Sequence, residues 1–133
     1  MKRAPIADIL WLFFGTRLLL IILTYIGYIL FPVPAHYYPS APVDVAGLLS
    51  SWNHWDAFNY LRIAQSGYQD VNDTAFFPLF PLLIGGISFL FGHQGFAVIG
   101  IVLSNLALLG ALFVLYQIAA DMLGEQVGRR TLL

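Results

Sequence analysis

Cysteine is absent from the 133 residues, which excludes a disulfide framework, a thiolate metal site and a cysteine nucleophile. Charge is scarce too. Only 10% of the residues are charged and the formal net charge is -1, so the chain offers no basic surface to a nucleic acid. What it has in quantity is oil, 59% hydrophobic residues gathered into long runs. Such a composition suits lipid better than a water-soluble core, and the chain reads as an integral, multi-pass membrane protein in contact with the bilayer.

Three apolar runs organise it. The first, 9–31, is interrupted only by Thr16, Arg17 and Thr24. At ~1.5 Å per residue it crosses a hydrocarbon layer of ~30 Å. A cleavable signal peptide is the rival, since Lys2 and Arg3 open the chain and Val33-Pro34-Ala35 loosely resembles a cleavage site. The run exceeds the ~7–15 apolar residues of such leaders, however, and it contains Arg17. The second run, 75–91, is at the lower limit for a span; Pro78 and Pro81 suit the first turns of a helix, where a missing N–H loses no intrahelical bond. The third, 96–120, is long enough to cross with some tilt, and Gly92-His-Gln-Gly95 reads as a tight link between antiparallel helices. The expected fold is therefore all-α, with about three transmembrane helices and a helical outer loop, 32–74, between the first two.

Basic residues orient it. Lys2 and Arg3 precede the first helix, whereas the loop holds Asp44, Asp56, Asp70 and Asp73 against Arg62, which keeps the N-terminus cytoplasmic and the loop outside. A full span by 75–91, the favoured reading, puts Arg129 and Arg130 outside as well, against the same rule. A re-entrant 75–91 would return them inside and would need protein around its backbone. At Gly128-Arg-Arg-Thr-Leu-Leu133 the sequence turns apolar again without a cap, so the chain is expected to be the N-terminal part of a longer protein.

Within the loop, residues 31–39 are rich in proline and aromatics and form a stiff spacer suited to the membrane interface. Residues 44–49 and 57–66 read as two short helices along the membrane surface, broken around 51–55. Asp56 has a plain structural reading as an N-cap, with Trp55 and Tyr60 as a hydrophobic staple and Gly67 as a left-handed C-cap. Against this stands its company. Trp52, Asn53, His54, Trp55, Asn59 and Arg62 all lie within two turns, surrounding a carboxylate with donors and with rings able to pack on sugar or lipid.

The segments Trp55-Asp-Ala-x-x-Tyr-Leu-x-Ile-Ala-x-x-Gly-Tyr68 and Ala75-Phe-Phe-Pro-x-Phe-Pro-Leu-Leu83 resemble the N-terminal part of the PIG-V-like mannosyltransferases. That family includes the enzyme that adds the second mannose of GPI anchors. The resemblance implies a GT-C glycosyltransferase several hundred residues long, which takes a sugar from a polyprenyl-phosphate carrier on the non-cytoplasmic side without a metal or other cofactor. It implies that Asp56, in the first outer loop, is the catalytic group. Trp52, His54, Trp55, Asn59 and Arg62 are the accompanying candidates for substrate binding. Asn59 and Tyr60 stand where relatives often carry histidine or another aromatic, so neither takes over a catalytic role. The chemistry needs a base for the acceptor hydroxyl, for which Asp56 is the candidate, and donors for the departing phosphate, for which Arg62 is one.

The remaining polar residues have simpler readings. Arg17 should snorkel or face protein, a cavity or a carboxylate. His36, His54 and His93 form no metal-ligand pattern. Asp70 and Asp73 suit a solvent-facing turn, Asn72 begins an N-x-Thr glycosylation pattern, and Ser104 and Asn105 suit hydrogen bonds across a helix interface. The competing class for the whole chain is a small non-enzymatic membrane protein, in which Asp56 and its tryptophans receive a partner subunit.

Overall fold

The computed structural model describes residues 5–30, 52, 53 and 55–132. The spacer 31–39, the expected helix 44–49, and His36 and His54 lie outside the described residues. Among the described residues all regular structure is helical: α1 (Ile6–Leu30), α2 (Asp56–Ser66), a short 3-10 helix (Val71–Ala75), α3 (Leu79–Leu90), α4 (Phe96–Leu123) and α5 (Glu125–Arg130). The chain divides into two units, 1–31 with 105–133, and 32–104.

In the first unit, α1 and the greater part of α4 carry apolar side chains almost all round. Such helices belong in lipid, and both are long and apolar enough to cross a membrane. Ile9, Tyr116, Ala120 and Leu132 form a buried cluster, against which Leu12, Leu109, Leu112 and Phe113 pack. Positions 109, 112, 113, 116 and 120 share one face of α4. The cluster thus joins the start of α1 to the last turns of α4 and to Leu132. Gly124, at φ 94, breaks α4 and turns α5 back upon it. A Cβ at Gly128 would lie 2.9 Å from the Ala120 Cβ, so only glycine allows this approach, which delivers Leu132 to the core. The Arg17 Nε is buried and, among the described residues, has no hydrogen-bond partner.

In the second unit α2 and α3 pack closely. A Cβ at Gly85 would meet the Ala64 carbonyl oxygen at 2.9 Å, and one at Gly100 would meet Ile84 Cδ1 at 3.3 Å and Leu61 Cδ2 at 3.7 Å. Small residues thus let α2, α3 and the first turns of α4 converge on Leu61, Ile63 and Ile84, all buried. Ser88, also buried, ties the α3–α4 link: its Oγ donates to the Gln94 carbonyl (3.0 Å), and its own carbonyl accepts from the His93 N–H (2.9 Å).

The second apolar run forms a shorter helix than its composition suggests. At ~1.5 Å per residue, the 12 residues of α3 reach about 18 Å, well short of the ~30 Å of a hydrocarbon core. The cause is local. Ala75 ends the 3-10 helix and Phe76 is extended (φ -97, ψ 121), so the start of the run goes into a turn. Pro78 and Pro81 do sit at the helix start, as the N1-type positions favour. Ser104 also departs from expectation: its hydroxyl donates to Gly100 O at 2.9 Å within its own helix rather than across an interface.

Candidate active site

α2 begins at Asp56, and the residue in the N-cap position is Trp55, at φ 56 and ψ -126 with no side-chain cap. Asp56 is thus the first helical residue, not the cap. The expected staple is absent as well, because Trp55 is 90% exposed while Tyr60 packs edge-on against Phe76 and Phe80, with centroids 5.1 and 5.3 Å away. Gly67 does close the helix in a positive-φ conformation (φ 75), its N–H donating to Ile63 O at 2.8 Å. Trp55 bears a conformation that costs a side-chain-bearing residue on the order of 1–3 kcal/mol and is most often kept at functional positions.

The Asp56 carboxylate is exposed and, among the described residues, takes no hydrogen bond. The N-terminal turn of α2 stabilises its charge, because the first N–H groups of a helix lack intrahelical partners. Exposed as they are, its oxygens are open to an incoming O–H donor.

Asp73 is the opposite case. Only 1% exposed, it receives Arg62 in a two-pronged contact, Nη1 to Oδ2 at 3.1 Å and Nη2 to Oδ1. The backbone N–H groups of Gln69 and Asp70 also donate to Oδ2, at 2.9 and 3.1 Å. The Arg62 hydrogen bond, with the Gln69 and Asp70 N–H groups and the guanidinium charge, holds the Asp73 carboxyl far below the usual carboxylate range, against the opposing effect of burial. The hydrogen bond to Asp73 in turn raises Arg62. Asp70 completes a capping box by accepting from Asn72 N at 2.9 Å. Asp70 is therefore the exposed turn residue expected, but Asp73 is buried and paired. The Asp70-x-x-Asp73 spacing signals the capping box, but not the burial of Asp73 or its pairing with Arg62.

The sequence-nominated residues divide between two faces of α2. At about 3.6 residues per turn, Asp56, Asn59, Tyr60 and Ile63 share one side, and Phe58, Leu61, Arg62 and Gln65 the other. The second side faces a cleft of about 660 Å³ completed by Asn53 and by His93, Gln94, Gly95, Phe96, Ala97 and Val98. Trp55, Asp56 and Asn59 do not line it. Trp52 is half-buried and engaged in contacts of its own. Gln65 and Gln94 are polar groups of this cleft that the motif around Asp56 does not point to, whereas Asn53, named beside Asp56 in the sequence, lines it as well. No three His, Cys, Asp or Glu side chains come together as a metal site among the described residues.

Residues 12–131 match the family described as mannosyltransferase (PIG-V). Human GPI alpha-1,6-mannosyltransferase 2 is 47% identical over 53 residues, covering 38% of this chain and 11% of that protein. The rat and mouse proteins of the same name are each 41% identical over 96 residues, covering 68% of this chain and 20% of theirs. The chain thus matches about a fifth of the length of these two curated relatives. No solved structure matches.

Proposed function

Because the chain belongs to the PIG-V mannosyltransferase family, we propose that it is the N-terminal portion of a membrane mannosyltransferase that moves mannose from a polyprenyl-phosphate carrier to an acceptor hydroxyl. Asp56 is the base. It takes the acceptor proton as the acceptor oxygen bonds to the anomeric carbon, and the bond from that carbon to the carrier phosphate breaks with its electron pair leaving on the phosphate. The observation that carries this reading is the free Asp56 carboxylate at the head of a helix locked in place by the Arg62–Asp73 pair. With Arg62 so engaged, the donors that receive the departing phosphate belong to the remainder of the enzyme. The relatives' printed name extends the reading to a GPI glycan as acceptor and an α-1,6 linkage.

The site faces the non-cytoplasmic side. If α1 and α4 each cross and α3 does not, Lys2 and Arg3 precede the first crossing and Arg129 and Arg130 follow the second, so the positive-inside rule is obeyed at both ends. Asp56, between the two crossings in the chain, then belongs to the opposite side. This removes the conflict that a third span creates.

Asp56→Asn in the full-length enzyme tests the assignment. Asparagine keeps the side chain's shape at this exposed position and gives up only the small charge–helix interaction, but cannot serve as a base, so transfer should fall about 10²–10⁴-fold with normal membrane insertion. Retained transfer would return Asp56 to a structural or partner-binding role.

A further inference from the structure

Arg17 is the cation of α1, and the transfer chemistry leaves it unused. It sits at the middle of the apolar stretch Ile6–Gly27, about 16 Å along the axis from Ile6 and about 15 Å from Gly27. A guanidinium at that depth is costly in hydrocarbon, and the snorkelling that serves residues near helix ends does not reach either headgroup layer from there. Its charge has no counterpart nearby. The Nε is buried without a hydrogen-bond partner among the described residues, while the residue as a whole is half-buried, so part of it stays open to an approaching group.

The sequence holds no Asp or Glu between Asp8 and Asp44, or between Asp73 and Asp121. Asp8 lies more than two turns back on α1, about 13 Å along its axis. Asp121 follows Ala120, which shares a buried cluster with Ile9, about 12 Å short of Arg17 along the same axis. Glu125 lies farther still, beyond the break at Gly124. Phe14, Leu20 and Ile21, one turn before and after Arg17, are exposed and give a helix an apolar surface to seat on.

We propose that Arg17 receives a carboxylate from a further transmembrane helix, an ion pair within the membrane that docks that helix against α1. The inference rests on the reading of this chain as the first part of a longer enzyme, because the partner helix lies outside residues 1–133. Charge complementarity selects the occupant. A second copy of α1 would set Arg17 against Arg17, and a second copy of α4 brings no carboxylate to that depth. A lipid phosphate is held at the headgroup layer, half a bilayer away. A carboxylate at mid-depth matches the guanidinium fork with both oxygens, and each charge removes the cost of the other.

The test is a neutralisation scan in the full-length protein in nanodiscs, read by the thermal midpoint. Arg17→Leu strands the partner carboxylate and should lower the midpoint by at least about 5 °C, whereas Arg17→Lys, which keeps the charge, should lose less. In the Arg17→Leu background, each Asp or Glu of the transmembrane segments beyond residue 133 is then changed to Asn or Gln. One such change should restore the midpoint, although the same change in wild type lowers it. That recovery is readable even if Arg17→Leu alone does not fold. An unchanged or raised midpoint in Arg17→Leu, as a lipid-facing side chain would give, would overturn the proposal. So would the failure of every neutralisation to restore it, as a water-filled cavity or a bound phosphate beside Arg17 would give. Recovery without any mannose transfer by wild type would sink the transferase reading and leave the pair standing; transfer by wild type without recovery would do the reverse.

Discussion

Asp56 and Asp73 frame α2 and the turn that follows it, and the two carboxylates meet opposite environments. Asp73 is enclosed, with Arg62 and two backbone N–H groups on its oxygens. Asp56 is open, with no hydrogen bond among the described residues. A buried carboxylate has to be paired, because the cost of removing it from water is otherwise too high. Pairing spends the lone pairs that proton transfer would use. The contrast therefore separates two kinds of carboxylate within one short segment: the enclosed one is fully paired, and the open one, the base proposed above, keeps its acceptor capacity.

The sharpest way to break this comparison is to show that Asp56 and the α3–α4 link face different sides of the membrane. The absence of cysteine makes the chain a clean background for single substitutions. In intact vesicles, Gln69→Cys and Gln94→Cys should both react with an impermeant maleimide from the non-cytoplasmic side, and Gln126→Cys from the cytoplasmic side alone. Reaction of Gln94→Cys from the cytoplasmic side only would establish a third span and separate the cleft from Asp56.

Next in size is the loss of the enclosed pair. Arg62→Ala leaves a buried carboxylate without its counter-ion and should lower the thermal midpoint and expose the segment after Gly67 to protease. Replacing both partners, Arg62→Leu with Asp73→Leu, should recover part of that loss, since two apolar groups leave no stranded charge. Transfer should fall with Arg62→Ala by up to about 10²-fold, as expected when a base is displaced without being removed. Equal damage from the single and double variants would show that the pair is needed for more than charge compensation.

Acid sharpens the same distinction. The folded Asp73 pKa lies below its unfolded value, so its contribution to stability is complete above the unfolded value of about 3.9 and is lost progressively as pH falls below it toward the folded pKa. Wild type should therefore lose thermal stability on acidification below about pH 4 more steeply than Asp73→Asn does. Parallel curves would remove Asp73 as the acid-sensitive group.

The smallest effects test the packing that carries both residues. Gly85→Ala pushes a methyl group against the Ala64 carbonyl and should destabilise by about 1–3 kcal/mol, while Gly86→Ala, with nothing within 4 Å, should be close to neutral. Thermal melts of the two variants check the pair.

Much of this was legible in the residues. The lengths and compositions of the runs that became α1 and α4 announce helices for lipid, and the motif from Trp55 to Tyr68 gives α2 almost to the residue, with Gly67 as its stop. Four things were not legible, each for a physical reason. The shortness of α3 depends on the 3-10 helix, which ends on Ala75 and leaves Phe76 extended at the start of the apolar run. The burial of Asp73 depends on a guanidinium supplied from the preceding helix, and local turn propensity cannot anticipate such tertiary pairing. Asp56 looks like an N-cap by residue type, yet the helix begins one residue earlier, at Asp56 itself, and the cap position falls on a strained tryptophan. The cleft was hidden for the same reason as the Asp73 pair, since Asn53 and Gln65 meet Gln94 only after α2 and α3 have folded together.

The most direct test places the two aspartates side by side. Mannose transfer from a polyprenyl-phosphate donor and the thermal midpoint are measured for full-length wild type, Asp56→Asn and Asp73→Asn. The expected result is a crossing: Asp56→Asn loses transfer and keeps its midpoint, while Asp73→Asn loses its midpoint and retains transfer in proportion to the folded fraction. Transfer that survives in Asp56→Asn, or a midpoint that falls with it, would contradict the division of labour between the open carboxylate and the enclosed one.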